Sequence, residues 1–318
     1  MADMQYRILG RTGLRVSVMG IGSGGPSRFG QNSGVPEADV QRMVRRGLDL
    51  GINFFDSSSG YGDSELILGR ALEGVSREDY VLATKFQPAR RGKDELIAPE
   101  DVVASVESSL DRLQVDCIDF MQFHGIRPQV YRETVDRLMP TVVKLKEQGK
   151  FRFIGVSETY REDPRHEMLP MALRDDLFDT AMVGYNLLSP TPEHEILPMC
   201  QERNVGVICM VAVRRALSRR DAVEERIRDA KVRGLIAQDS LPDEDPLGWL
   251  VKDHVASLPA AAYKYVNAHS AMGTVLSGTA NLAHLEDNVK AILGPPLPEE
   301  DMARLRSIFG EVWEPLGN

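Results

Sequence analysis

The sequence predicts an α/β protein folded as an eight-stranded parallel β/α (TIM) barrel, with a β-hairpin ahead of it and an extra helix at its C-terminal end. Three observations carry that prediction. Short apolar runs bounded by Gly, Asp or Asn recur eight times, and longer amphipathic stretches separate them. That alternation implies parallel pairing, because each return to a parallel neighbour needs a dozen or more residues. The 318 residues hold no linker or low-complexity tract, so residues 1–318 are read as one barrel domain. Count and length together favour a closed barrel over an open doubly wound sheet, which is the runner-up.

In chain order, residues 6–16 (YRILGRTGLRV) set Gly10 and Gly13 between two short apolar segments and read as the hairpin. The barrel strands follow at 16–20, 53–55, 80–84, 118–123, 153–156, 180–183, 205–210 and 273–276. Between them, residues 37–50 carry Val40, Val44, Leu48 and Leu50 on one face with charges opposite. Residues 99–113 open with Pro-Glu-Asp, a good first helical turn, and place Val102, Val103, Val106, Leu110 and Leu113 on one stripe. Residues 135–148, 193–203 and 282–292 repeat the helical pattern. The charged segment 214–246 breaks the alternation. It follows the seventh strand on the face where barrels keep their active sites, and reads as a partly helical lid or as a solvated connection.

Composition narrows the function classes. Asp and Glu outnumber Lys and Arg by 47 to 38, for a net charge of −9, which disfavours a nucleic-acid binder that must neutralise phosphates. Cys117, Cys200 and Cys209 are scattered, against both a disulfide framework and a structural zinc site. No apolar run approaches the roughly 18 to 20 residues of a membrane span, and the first residues lack a secretory apolar core. The expectation is a soluble, cytoplasmic protein; its oligomeric state is not legible.

Gly20, Gly22 and Gly25 spell the dinucleotide-binding pattern G-x-G-x-x-G, but Pro26, Gly30, Gly34 and Pro36 delay the next helix to about Glu37. That pattern needs a helix N-terminus directly behind the glycines to hold a pyrophosphate, so the context fails. A better signal lies at the strand ends. Asp56 ends the second strand with Tyr61 in the loop behind it, Lys85 ends the third and His124 the fourth. In a β/α barrel such residues converge on one pocket. Each alone has a bland reading, as a turn cap, a surface aromatic or a core histidine. Lys85 resists one, since lysine is seldom buried unpartnered, and the four together resist it further.

Their chemistry is coherent. An ammonium beside a tyrosine favours the phenolate and lowers the phenol toward the working range. A carboxylate paired with the lysine keeps it charged, and a histidine can donate a hydrogen bond to a substrate carbonyl. The set suits protonation of an oxygen while hydride arrives at carbon, which implies a nicotinamide cofactor.

Over nearly its whole length the chain resembles the aldo-keto reductase family. The segments LGRTGLRVSVMGIGS, GINFFDSSSGYGDSE, ATKF, FHG, GKFRFIGVSE and SGTANLAHLEDN fall in the family's order. The resemblance implies that Asp56, Tyr61, Lys85 and His124 are the catalytic tetrad, with Tyr61 the general acid in reduction and the general base in oxidation. It also implies cofactor contacts at Gly22 and Ser23, at Ser157 for the nicotinamide carboxamide, and at Ser277, Gly278, Thr279 and Asn288 for the adenosine half. Departures cluster at the cofactor. Glu158 stands where the family has Asn, Met182 where it has Gln, and Met210 where an aromatic often stacks on the nicotinamide; both methionines also read as plain packing. Glu286 occupies a frequent arginine position, which leaves NAD open, whereas Arg214 and Arg215 suit phosphates and support NADP. The implied activity is NAD(P)-dependent interconversion of an aldehyde or ketone, a sugar among them, with its alcohol.

Two other classes stay open beside it. A non-catalytic cofactor-binding barrel of the same fold would keep the cofactor contacts without the chemistry. A metal-dependent hydrolase would use Asp56 and His124 as ligands but leaves Lys85 and Tyr61 without a role. Phe29, residues 126–131, Trp249 and the 214–246 segment are candidate substrate walls, and each also reads as packing.

Overall fold

The computed structural model describes residues 3–90 and 93–317, with the side chain of Arg215 outside the described part. Two antiparallel strands, β1 (Tyr6–Ile8) and β2 (Arg15–Ser17), form the expected hairpin, turned by a short helical turn at Gly10–Thr12. The barrel then runs β3 (Met19–Gly22), α1 (Glu37–Asp49), β4 (Phe54–Asp56), α2 (Ser64–Leu72), β5 (Val81–Phe86), α3 (Pro99–Leu113) and β6 (Ile118–Ile126). It continues with α4 (Tyr131–Glu147), β7 (Phe151–Glu158), α5 (Met168–Asp175), β8 (Thr180–Gly184), α6 (Ile196–Glu202) and β9 (Gly206–Met210). The charged segment contributes α7 (Arg215–Ser218) and α8 (Arg220–Val232), and the chain closes with α9 (Leu258–Ala268), β10 (Met272–Ser277), α10 (Leu282–Leu293) and the extra helix α11 (Glu299–Phe309). Strands β3 to β10 pair in parallel in sequence order, and β10 returns to β3. No helix among the described residues is long and apolar enough to cross a membrane.

Two sequence expectations shift. The apolar run at 16–20 serves two sheets: Val16 pairs with Arg7 in the hairpin, and the barrel strand starts only at Met19. Asn53 marks the switch, accepting from the Ser17 amide at 2.7 Å and donating its own amide to the Ser17 hydroxyl at 3.0 Å. On α3, Val102, Val106, Leu110 and Leu113 are buried, but Val103 is exposed, since adjacent helix positions lie about 100° apart and cannot share the inward face. The α3 start behaves as its sequence says: Pro99 is the first helical residue, and Asp101 accepts from the Ala98 amide at 3.2 Å.

The core has two layers. Most buried side chains lie between strands and helices, whereas Leu9, Val16, Phe54, Val81, Ala83, Phe120, Met182 and Ile208 fill the barrel interior. The hairpin closes the barrel's amino end. Leu9 is fully buried there because Gly206 and Gly273 make room: a Cβ on Gly273 would lie 2.3 Å from Leu9 Cδ1, and one on Gly206 would lie 2.7 Å from Leu9 Cγ. Leu9→Ala is expected to destabilise the fold by about 2–5 kcal/mol, as large-to-small changes in closed cores do. Urea denaturation followed by circular dichroism checks it, and an unchanged midpoint would show that the plug carries no stability.

Candidate active site

The carboxyl ends of β4, β5 and β6 bring the four strand-end residues together. Asp56, Lys85 and His124 point inward by the two-residue alternation of a strand, and the shared register stacks them: Asp56 pairs with Ala83, Lys85 with Gln122, and His124 with Ser157, while Tyr61 comes from the loop after β4. Lys85, fully buried, donates from Nζ to Asp56 Oδ2 at 2.6 Å and to the Ser57 carbonyl at 2.7 Å. Its Nζ lies 5.3 Å from the centre of the Tyr61 ring. The Tyr61 hydroxyl lies 3.2 Å from His124 Nε2, with the two rings edge to face.

Electrostatics give each group a defined state. Burial drives His124 down to about 3, and the Lys85 charge adds to it, so the imidazole is neutral. The Gln87 amide nitrogen, a donor only, meets His124 Nδ1, as does Ser58 Oγ at 2.9 Å. Nδ1 is thus the acceptor, and the proton sits on Nε2, facing Tyr61 and the cavity. Burial acts to lower Lys85, but Asp56 and then Tyr61 outweigh it and hold the ammonium charged above its ordinary value. Burial lifts Asp56 above the usual carboxylate range, against the pull of Lys85 and Gln122. Tyr61 corrects a sequence expectation. Lys85 does pull its hydroxyl down, but burial is the larger influence and leaves it raised.

Sequence reasoning missed the supporting residues. Gln122 donates to Asp56 Oδ1 at 3.1 Å, so both carboxylate oxygens are held. It lies two residues before His124 on the inward face of β6, a signal that was available. Gly24 left none: a Cβ there would lie 2.6 Å from Tyr61 Cε2, so the backbone of this loop is the wall on which the phenol ring rests. Gly24→Ala is expected to displace the ring and cut kcat by about 10²-fold, the scale of a misplacement near 1 Å, with the melting temperature little changed. Steady-state kinetics beside a thermal melt test it, and a fully active variant would show that the ring needs no such wall.

Tyr61 and His124 open into a cavity of about 810 Å³, which Ser157, Glu158, Met182, Met210 and Arg214 also line. A second cavity of about 740 Å³ lies across the loop after β3, lined by Gly278, Thr279, Ala280 and Asn281 from the end of β10. Gly22, Ser23, Ser277 and Asn288 line neither. Ser23 donates to Ser57 at 2.8 Å, and Asn288 donates to Ser277 at 3.1 Å, so these polar groups are spent on neighbours. Arg215 falls outside the described residues. Of the candidate substrate walls, Ile126, Arg127 and Val130 line the larger cavity; Phe29 is buried in the outer core, and Trp249 stacks under Arg304. Of the 214–246 segment, Arg214 alone among the described residues reaches it.

The donor set fits a nicotinamide cofactor. Among the described residues, Thr159 Oγ1 is buried with no partner and Ser157 makes only a 3.4 Å contact to the next carbonyl, so two hydroxyls at the end of β7 are free to meet a carboxamide. Glu158 is differently occupied. Its oxygens accept from the Gly184 amide at 2.6 Å and from His166 Nδ1 at 2.7 Å. Glu286, the acidic departure on α10, is paired with Arg46 at 2.7 Å.

A closed parallel barrel with an inward Asp–Lys–Tyr–His cluster at the carboxyl ends of its strands is the architecture of a barrel oxidoreductase. The model of the aldo/keto reductase family matches residues 20–309, and the chain belongs to that family. It is 31% identical over 314 residues to L-galactose dehydrogenase of Arabidopsis thaliana, covering 92% of this chain and 89% of that protein. The holo form of aldo-keto reductase AKR11C1 from Bacillus halodurans superposes with a TM-score of 0.74 at 26% identity, covering 99% of this chain and all of that one.

Proposed function

We propose that the protein is an NAD(P)-dependent oxidoreductase that interconverts an aldehyde or ketone with its alcohol, Tyr61 carrying the proton. The observation behind this reading is the clustering of Asp56, Lys85, Tyr61 and His124: Lys85 is bonded to Asp56 and lies 5.3 Å from the Tyr61 ring centre, and the Tyr61 hydroxyl meets His124. Asp56 fixes Lys85, and Lys85 lowers the cost of negative charge on the Tyr61 oxygen. His124, neutral and protonated on Nε2, donates to the substrate oxygen and orients its carbon. Tyr61 then gives its proton to that oxygen in reduction and takes it back in oxidation. When bound, the nicotinamide supplies or accepts the hydride. Ser157 and Thr159 would hold its carboxamide, Met182 and Met210 would pack against the ring, and the backbone around Gly278 and Thr279 would take the adenosine end.

We assign NADP as the cofactor, with NAD as the alternative. Glu286 counts less against a 2′-phosphate once Arg46 neutralises it, and His284 lines the adenosine-side cavity beside the Arg42–Asp39 ion pair. The sugar dehydrogenase among the relatives supports a hydroxylated carbonyl substrate. Titration with NADPH and NADH, read by nicotinamide emission because neither Trp249 nor Trp313 lines the cavity, is the test. Saturable binding in the micromolar range with NADPH tighter supports the assignment; tighter NADH reverses the preference. No binding of either overturns the oxidoreductase reading.

A further inference from the structure

The rim of the larger cavity reverses the sign of the molecule. The protein carries a net charge of −9, yet the side chains around Tyr61 are rich in arginine. Two of these are already spent. Arg127 pairs with Asp94 at 3.1 Å and Glu162 at 3.3 Å, and Arg90 pairs with Glu95 at 3.5 Å. Glu158, the other carboxylate lining the cavity among the described residues, is held by His166 and the Gly184 amide. That leaves Lys93 on the rim and Arg28, Arg161 and Arg214, from the loops after β3, β7 and β9, with no carboxylate partner among the described residues.

Arg28 and Arg214 are half-buried and Arg161 is exposed, and backbone outliers mark two of the three loops. Arg28 and Phe29 both adopt left-handed backbone, φ 47° and 54°, followed by Gly30 at 78°; two successive non-glycine residues there are strained, and such strain persists where a side chain is held for a purpose. Val211, three residues before Arg214, sits at φ 61°, an outlier for a β-branched residue. Burial pushes Arg214 below its ordinary value; Tyr61 opposes the shift and Arg161 adds to it. Among the described residues, Tyr61 and Tyr160 are the only phenyl-type rings in the lining, which offers little to a flat hydrophobic substrate.

We propose that Arg28, Arg161 and Arg214 form the oxyanion-binding end of the substrate cavity, and that the carbonyl compound this enzyme takes carries a carboxylate or a phosphate group. Guanidinium forks match either anion bidentately, and a concave cationic mouth on an acidic protein concentrates anionic substrate where it is needed. The proposal rests on the oxidoreductase reading for the word substrate, but the anion site stands apart from turnover.

The test has a kinetic and a binding arm. With NADPH, the wild type is compared on DL-glyceraldehyde (neutral), succinic semialdehyde (a carboxylate) and glyceraldehyde 3-phosphate. One anionic substrate is expected to exceed the neutral one by about tenfold in kcat/KM, expressed in KM and shrinking with added KCl. Which one leads identifies the anion. The triple variant R28Q/R161Q/R214Q should erase that ratio, with NADPH affinity measured beside it because Arg214 is also a candidate for the cofactor phosphates. No anionic preference, or a preference that survives in the triple variant, overturns the proposal. Weakened NADPH binding with the ratio intact assigns the arginines to cofactor phosphates and overturns it too. In the second arm, calorimetry with succinate and with inorganic phosphate should show binding to the wild type that the triple variant lacks. If no carbonyl turns over at all, the oxidoreductase reading falls, and calorimetry alone decides the anion site: absent heat overturns it.

Discussion

Tyr61→Phe is expected to lose about 10²–10⁴ in kcat while still binding NADPH, because it deletes the proton donor and little else. The hydroxyl meets His124 Nε2 at 3.2 Å, and its ring lies on Gly24 and near Lys85, contacts that phenylalanine keeps. The pH profile carries the same assignment. With His124 at about 3, no step should appear near 6.5, where an ordinary histidine titrates. Tyr61 stays protonated to above its ordinary value, so reduction, which needs the proton, should be flat through neutral pH. Oxidation needs the phenolate and should climb with pH into the alkaline range. A variant that retains wild-type turnover would remove Tyr61 from the chemistry. Loss of both activity and NADPH binding would instead mark a collapsed site.

Lys85→Met should be nearly as costly to activity and more costly to the fold. Removing one partner of a buried ion pair leaves the other charge uncompensated, a penalty of about 3–5 kcal/mol. Here the abandoned group is Asp56, 4% exposed, with Gln122 as its remaining side-chain hydrogen bond among the described residues. The sign with pH follows. Without Lys85, the folded-state value of Asp56 rises further above its unfolded value, so the folded protein holds a proton that the unfolded chain releases. Stability is retained below the unfolded value and falls as pH climbs from there, by up to about 1.4 kcal/mol per pH unit until the folded value is passed. Denaturant melts at pH 5 and pH 8 should therefore show a larger deficit at pH 8. An equal deficit would mean that Asp56 is solvated once Lys85 is gone.

The fold and the central cluster were legible for different reasons. Period-two and helical patterns expose a parallel barrel because each strand and helix must bury a defined face, and α1, α3 and α10 start where their patterns start. Asp56, Lys85 and His124 stood out because a polar or charged side chain closing an apolar strand is costly to bury unless it has a partner, and the structure does bring them and Tyr61 together. What escaped depends on distant contacts. The exposure of Gly24 to the Tyr61 ring, the capture of Glu158 by His166, and the pairing of Glu286 with Arg46 are set by how the backbone folds, and no local spacing encodes them. The same is true of Tyr61's raised hydroxyl: sequence shows its neighbours but not how much water they exclude.

The hairpin also imposes an order of events on synthesis. Leu9 rests on Gly206 and Gly273, and the Arg7 guanidinium donates to the carbonyls of Met272 and Asn267, separated from it by 265 and 260 residues. A ribosome delivers the stopper well before its seat. Until the final strand emerges, Leu9 and Leu14 have no barrel to cover, and β3 has no neighbour on one edge. The nascent chain therefore carries this apolar segment unburied while some 260 residues follow it, and ring closure and bottom closure become one late, cooperative step.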